Sequence, residues 1–486
     1  MRRATEAWTS SAQLAHLGHT TLQPHETTST NSTTTTTARH VNYDDDLSLQ
    51  PLSRRFQIKS LASSSTLQDS TVIEFETTTS VRPNTKATHT LTLPNLYLRD
   101  LSTHEQHVHS DSKQKLFKTT DIPSTNTLKS FGVHELDQKE CLILEWIEPL
   151  KGFESNREAS ILSVVPLSTL TQLLKRQERS TLPQYTTWNQ SQLLKKLDLN
   201  KTFNQVMKQD RKTLEMLDDL LRDGITFVKQ VPTDDKQGQH TSLRSLVEKL
   251  SSVRNTWYGN LFDVRAQEGS KNIAYTNLDL GLHMDLTHFE TPPRYQFLHS
   301  LQNKGVKGGS SYFVDSYKVV EQIQHNDLKA FETLTREPLL FEYKSNQHHT
   351  EFVRPTIELL DNGLIKAVNY SPPFQGPLPL LQMERNDFNA TTTSTDYERL
   401  TNLKSSLEMF SHLCDKKEMR FEIQLNPGDC VIFDNRRILH ARTSFEFLKD
   451  QDENKGRWLK GAYCDGDEVF SLWRILNEKR RMGRLD

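Results

Sequence analysis

From residue 225 to about 465 the sequence is a succession of short apolar segments closed by turn residues. They include "ITFVKQV", "YQFLHSL", "SSYFVDSY", "IKAVNYSP", "RFEIQL" and "DCVIFDN". β-Branched and aromatic side chains in such runs, bounded by Gly, Pro, Asn or Asp, read as strands. Many short strands in a row argue for a sandwich or a barrel. Helical patterns flank them. In "DRKTLEMLDDLLRD" Leu214, Leu217, Leu220 and Leu221 mark one face, and Gly224 ends the helix. In "DEVFSLWRILNEKRR" Val469, Leu472, Trp473 and Leu476 face inward. The expected fold class is mainly β with flanking helices.

The 486 residues suffice for two or three domains. With 34% hydrophobic residues and a mean hydropathy of −0.66, sizeable polar portions must lie outside any packed core. Residues 1–70 contain the low-complexity tract "TTSTNSTTTTTARH" and are expected to be disordered. Residues 71–175, with "STVIEFE", "HTLTLPNLYLRD" and "CLILEWIEP", read as a small β-rich N-terminal domain. Residues 176–205 read as a linker with some helix, and 206–486 as the main domain. Within it, residues 384–407, "ERNDFNATTTSTDYERLTNLKSSL", read as a polar surface insertion.

A net charge of −2 provides no basic field for nucleic acid or an anionic membrane. No apolar run approaches the ~18 residues of a membrane span. Cys141, Cys414, Cys430 and Cys464 are scattered and suggest neither a disulfide framework nor a thiolate zinc site. The expected compartment is intracellular and reducing, with the cytoplasm favoured. The Ser/Thr-rich start, "MRRATEAW", leaves a mitochondrial transit peptide open.

One pair of residues points to chemistry. His283 and Asp285, in "DLGLHMDL", are two positions apart in a strand-like run, so their side chains leave the same face. An imidazole beside a carboxylate is part of the 2-His-1-carboxylate triad that holds non-haem Fe(II). The pattern itself is cheap in a chain with 18 histidines, and it recurs at His109/Asp111 and His325/Asp327. Context separates the three. "HVHSDSKQ" reads as loop. "QIQHNDLKAF" lies in a helix-like stretch with Val319, Val320, Ile323, Leu328 and Phe331 at helical spacing, where a solvated face is the simpler reading. The best second histidine is His440, far downstream in "NPGDCVIFDNRRILHARTSFE". Only a fold can bring it to His283. A double-stranded β-helix does so, by setting an early strand opposite a late one.

The blocks "AYTN…HMD", "GGSSYFVD", "VNYSPPF", "PGDCVIFDNRRILHAR" and "RWLKGAYCDGDEVFSLWRIL" resemble the gamma-butyrobetaine dioxygenase and trimethyllysine dioxygenase family. That family is a branch of the taurine-dioxygenase-like Fe(II)/2-oxoglutarate oxygenases. The resemblance covers about residues 210–478, and more loosely 85–175. It implies a jelly-roll catalytic domain and an enzyme using Fe(II), 2-oxoglutarate and O2, assisted by ascorbate. It implies that His283, Asp285 and His440 ligate iron, that Arg457 anchors 2-oxoglutarate, and that Asn272 lies near the cosubstrate. The segment between His440 and Arg457 is longer than the family's. The resemblance also implies a cage of Tyr258, Phe262, Tyr275 and Tyr463 for a trimethylammonium group, with Asn369 in the same pocket. Aromatic faces hold such cations by cation–π attraction. Phe262 stands where the butyrobetaine enzymes carry tryptophan.

The implied reaction is hydroxylation of gamma-butyrobetaine to L-carnitine. Hydroxylation of trimethyllysine or of another small acid, and a non-catalytic ligand-binding β-helix, are the alternatives. The family's N-terminal zinc segment carries cysteines where this chain has Ser102, His104 and His107, so a structural zinc is not expected. A homodimer is left open.

Overall fold

The run Cys430–Phe433 is buried on both sides, and its alternation assigns each residue to one of two cores. Cys430 and Ile432 point to one, Val431 and Phe433 to the other. This is the period-two geometry of a strand sandwiched between layers. In the computed structural model residues 56–63, 69–78, 86–136, 139–174, 183–234, 241–265, 280–304, 306–378, 394–447 and 456–486 are described. All of them lie in the unit Leu49–Asp486.

The strand Cys430–Asp434 belongs to a 5-stranded antiparallel sheet in the order Ile225–Val228, Cys430–Asp434, Tyr295–Asn303, Arg457–Cys464, Leu261–Arg265. A 4-stranded antiparallel sheet in the order Phe421–Ile423, Ser311–Asp315, Ile438–Arg442, Leu280–His283 faces it. Between them pack Phe227, Leu298, Val431, Phe433 and Leu459 from the first sheet with Phe313, Phe421 and Ile438 from the second. Phe313 meets Phe227 and Phe433 edge-on at centroid distances of 6.5 and 5.5 Å. Burying each such side chain contributes about 1.5–3 kcal/mol. The two sheets form a double-stranded β-helix, or jelly roll.

Helices cover both outer faces. Asp210–Asp223, Ser242–Glu248 and Gly466–Arg481 pack on the larger sheet through Leu214, Leu217, Leu220, Leu246, Val469 and Trp473. Met216 is buried there too, whereas Leu221 and Leu472 are only partly covered. Ser316–Asn326, Leu328–Arg336 and Ser394–Asp415 pack on the smaller sheet around Val320, Ile323, Phe331 and Phe410. A buried ion pair ties this framework together. Arg437 binds Asp315 at 2.7 Å, and its guanidinium also donates to the carbonyls of Thr186 and Arg222.

Several details depart from the sequence expectation. A strand, Phe56–Ser63, lies inside the segment expected to be disordered. "HTLTLPNLYLRD" is a strand only to Pro94; Asn95–Asp100 are helical, with Leu98 buried. The N-terminal strands Leu128–Leu136, Lys139–Trp146 and Leu162–Pro166 pair as a 3-stranded sheet, whose Leu142, Leu144 and Val165 pack with Ile73 and Leu98. In the expected surface insertion, residues 394–407 are the first turns of a long helix with Leu403 fully buried. Residues 379–393 lie outside the described ones. The helical stretch around His325 is two helices, broken where the Asp327 side chain caps the second by accepting from Ala330 N. The break leaves Leu328 exposed and His325 on the solvent side. His109 and Asp111 are exposed in turns. No helix among the described residues is long and apolar enough to cross a membrane.

Candidate active site

His440 sits directly opposite His283 across the pairing of Ile438–Arg442 with Leu280–His283. Their rings are 4.2 Å apart between centroids. Asp285 follows at the end of the shorter strand. One donor atom from each of His283, Asp285 and His440 lies within 4.8 Å of the others. His283 Nδ1 is 2.8 Å from the carbonyl of Gly281 and donates to it. Its Nε2 lies 3.3 Å from Asp285 Oδ1. His440 Nε2 is 4.0 Å from Asp285 Oδ2.

The surroundings bias the charge states of His440 and Asp285. Burial pushes His440 down to about 3, so its imidazole is neutral. Burial works against the Asp285 carboxylate, but the adjacent His283 and His440 and the hydroxyl of Tyr463 hold it well below the usual range. Oδ2 accepts from Gln296 Nε2 at 2.8 Å and from Tyr463 OH at 2.7 Å. Asn435 clamps the backbone of Asp285: its Oδ1 accepts from Asp285 N at 2.9 Å and its Nδ2 donates to Asp285 O at 3.0 Å. Two imidazoles, that of His440 neutral, an ionised carboxylate and hydrogen-bonded partners behind them fit Fe(II).

Beyond His440 the same cavity reaches Arg457, Arg442 and Ser311. Arg457 begins the strand Arg457–Cys464 and is buried, with Nη2 donating to Ser311 Oγ at 3.2 Å. Its stem passes Gly309, where an added Cβ would sit 3.3 Å from Arg457 Cδ. Among the described residues no carboxylate comes within 4.0 Å of its guanidinium. Burial and the neighbouring Arg442 charge push it down to about 9. A buried guanidinium without a carboxylate suits an anionic ligand.

The opposite wall is aromatic. Phe262 stacks on Tyr463 at 4.9 Å, and Tyr258 lies 6.4 Å from Phe262. Phe262 is the register partner of Gly461, and a Cβ on Gly461 would stand 2.2 Å from the Phe262 ring. The glycine is what lets Phe262 lie flat on the neighbouring strand. Phe374, from "VNYSPPF", completes the wall with His288.

The structure thus gathers His283, Asp285, His440, Arg457, Tyr258, Phe262 and Tyr463 around one cavity. Asn369 departs from expectation. It is buried away from the lining, its Nδ2 donating to Pro355 O and Glu358 Oε1. Asn272 and Tyr275 lie outside the described residues. Ser102, His104 and His107 form a buried cluster: His107 Nδ1 is 2.9 Å from Ser102 Oγ and its Nε2 2.6 Å from Ala159 O. Gln296, Ser311, Arg442, His288 and Asn435 escaped sequence reasoning. Two carried a signal. Gln296 is a polar residue inside an apolar strand, and Arg442 lies two positions after His440, hence on its face.

A jelly roll with two histidines and a carboxylate converging at one end is the arrangement of Fe(II)- and 2-oxoglutarate-dependent dioxygenases. The family model for taurine catabolism dioxygenase TauD, TfdA matches residues 186–463, and the chain belongs to that family. Its members use Fe(II) and 2-oxoglutarate. The chain is 36% identical over 383 residues to dioxygenase str8 of Strobilurus tenacellus, covering 78% of this chain and 84% of that protein. It is 30% identical over 451 residues to the probable oxidoreductase AIM17 of Saccharomyces cerevisiae, covering 85% and 90%. It is 28% identical over 317 residues to human gamma-butyrobetaine dioxygenase, covering 64% and 73%.

Proposed function

We propose that this dioxygenase hydroxylates a small trimethylammonium carboxylic acid, with gamma-butyrobetaine, giving L-carnitine, as the first candidate. His283 Nε2, His440 Nε2 and the Asp285 carboxylate hold the iron, and Arg457 with Ser311 holds the far carboxylate of 2-oxoglutarate. The chemistry that iron supplies there is oxidative: 2-oxoglutarate and O2 yield succinate and CO2 while one oxygen atom enters a substrate C–H bond. The chain's own work is to place that bond and exclude water. Val264, Leu286, Leu298 and Leu459 line the cavity with apolar surface that disfavours water.

The observation that carries the substrate class is the wall of Tyr258, Phe262, Tyr463 and Phe374 in a cavity whose sole carboxylate among the described lining residues is Asp285. A quaternary ammonium meets aromatic faces there, worth about 0.5–2 kcal/mol per contact. A second reading has its own observation. Phe262 and Tyr463 stack on each other at 4.9 Å, which leaves no slot between them for a cation. This favours a small acid without a cationic group.

One assay decides between them. Succinate formation by protein loaded with Fe(II), ascorbate and 2-oxoglutarate is measured with gamma-butyrobetaine, trimethyllysine and 5,5-dimethylhexanoate, the isostere of gamma-butyrobetaine that keeps the carboxylate and replaces the trimethylammonium with an uncharged tert-butyl group. The trimethylammonium reading expects stimulation by gamma-butyrobetaine, with carnitine formed, well above that by the isostere. Equal or greater stimulation by the isostere sinks it. His283→Ala abolishes all turnover if the metal assignment is right.

A further inference from the structure

His288 lies three residues beyond Asp285 and faces the same cavity. The chain between them turns sharply, with Leu286 at φ +58, a left-handed conformation that a leucine seldom adopts. His288 is 1% exposed. Trp257 stacks on it at 5.5 Å with an interplanar angle of 8°, Tyr343 packs at 5.4 Å, and Phe374 meets it edge-on at 5.3 Å. The ring is thus held in plane from several sides.

Its two nitrogens are in different situations. Nδ1 is 3.0 Å from the hydroxyl of Thr350. Nε2 is buried and has no hydrogen-bond partner among the described residues. Thr350 and Tyr343 are register partners in the hairpin Pro338–Lys344/His349–Pro355, so one hairpin supplies both the hydroxyl and a packing ring. Burial pushes His288 down to about 4, which keeps it neutral at ordinary pH. A neutral imidazole has one donor and one acceptor nitrogen. A Thr350 hydroxyl donating to Nδ1 makes Nε2–H a donor, and a buried donor left unmet is costly.

We propose that His288 reads the acidic end of the substrate, its Nε2–H donating to a carboxylate oxygen while Thr350 sets the tautomer and Trp257 the ring plane. This rests on the reading that a small carboxylic acid occupies the cavity. It adds the group that distinguishes an acid from an equally sized amphiphile without one. Arg457 does not serve that purpose, because it lies at the cosubstrate end beside Arg442 and Ser311.

The test compares KM for gamma-butyrobetaine with the inhibition constant of butyltrimethylammonium, which keeps the cation and lacks the carboxylate. His288→Phe preserves the stack and removes the donor. It should raise KM for the acid roughly 10- to 100-fold, the worth of one hydrogen bond to a charged group. Inhibition by butyltrimethylammonium should stay within about threefold, a split that general damage would not produce. His288→Gln restores a donor and should recover part of the loss, and Thr350→Val should raise KM for the acid alone. An unchanged KM in His288→Phe, or equal weakening of both ligands, overturns the inference while leaving the proposed function standing. If the wild type turns over only acids without a trimethylammonium group, the proposed function falls, and the same variant on that acid, against its decarboxylated analogue, decides the role of His288. A wild type that prefers ligands lacking a carboxylate overturns both.

Discussion

Tyr463→Phe separates two roles that meet in one side chain. The ring stacks on Phe262 at 4.9 Å, and the hydroxyl donates to Asp285 Oδ2 at 2.7 Å. Phenylalanine keeps the first and removes the second. A hydrogen bond to an ionised group is worth about 1.5–3 kcal/mol. Gln296 Nε2 still donates to the same oxygen at 2.8 Å, so Asp285 keeps one anchor and the loss should fall at the lower end. Iron affinity should therefore drop roughly 10-fold, at the lower edge of the range for lost partners of metal ligands. Adding Gln296→Leu strips the second anchor and should lower affinity by more than the sum of the single losses, since both act on one oxygen. The assay is anaerobic Fe(II) titration of the apoprotein, paired with the Fe(II) concentration giving half-maximal succinate formation at saturating 2-oxoglutarate. An affinity within twofold of wild type in the double variant would refute the view that Asp285 Oδ2 is held by these donors for metal binding.

Arg437→Met should cost about 3–5 kcal/mol by leaving Asp315 buried and unpaired, read from chemical denaturation. Gly461→Ala should destabilise by about 1–3 kcal/mol and displace Phe262, because the new Cβ would stand 2.2 Å from its ring; thermal unfolding and the substrate KM check the two halves separately. Burial pushes both His107 and His288 down to about 4 from 6.5. Between those values the unfolded chain binds protons that the folded chain refuses. Stability should accordingly fall as pH drops below about 6.5, by up to about 1.4 kcal/mol per pH unit for each histidine, until about pH 4. Denaturation midpoints at pH 7, 5.5 and 4.5 that do not decline would contradict this.

Much of the fold was legible because its determinants are local. Leu214, Leu217 and Leu220 repeat at the helical period and are buried as expected, and Gly224 ends that helix. The short apolar runs became the strands of two packed sheets, since a continuous run such as Cys430–Phe433 has to be buried on both faces. His283 and Asp285 were expected on one strand face by their spacing, but the strand ends at His283 and Asp285 reaches the same cavity from the turn that follows. Where local signals conflicted, tertiary context won. The polar segment 394–407 became helix because Leu403 and Phe410 find a core to enter, and Asp327 split a continuous helical pattern by capping its second half.

What the sequence by itself determined was the kind of site: a carboxylate two residues from an imidazole, a distant histidine in a buried strand, an arginine after it, and aromatic residues scattered between. Which of these meet was decided only by the register between strands far apart in the chain. That register sets His440 opposite His283, brings Gln296 and Tyr463 onto one oxygen of Asp285, and lays Phe262 on Gly461. It also turns Asn369 away to Glu358 and sets Thr350 beneath His288. Spacing along a chain constrains only neighbours within a turn or a pleat. Contacts across sheets follow from how whole layers bury their apolar faces, which no single motif encodes.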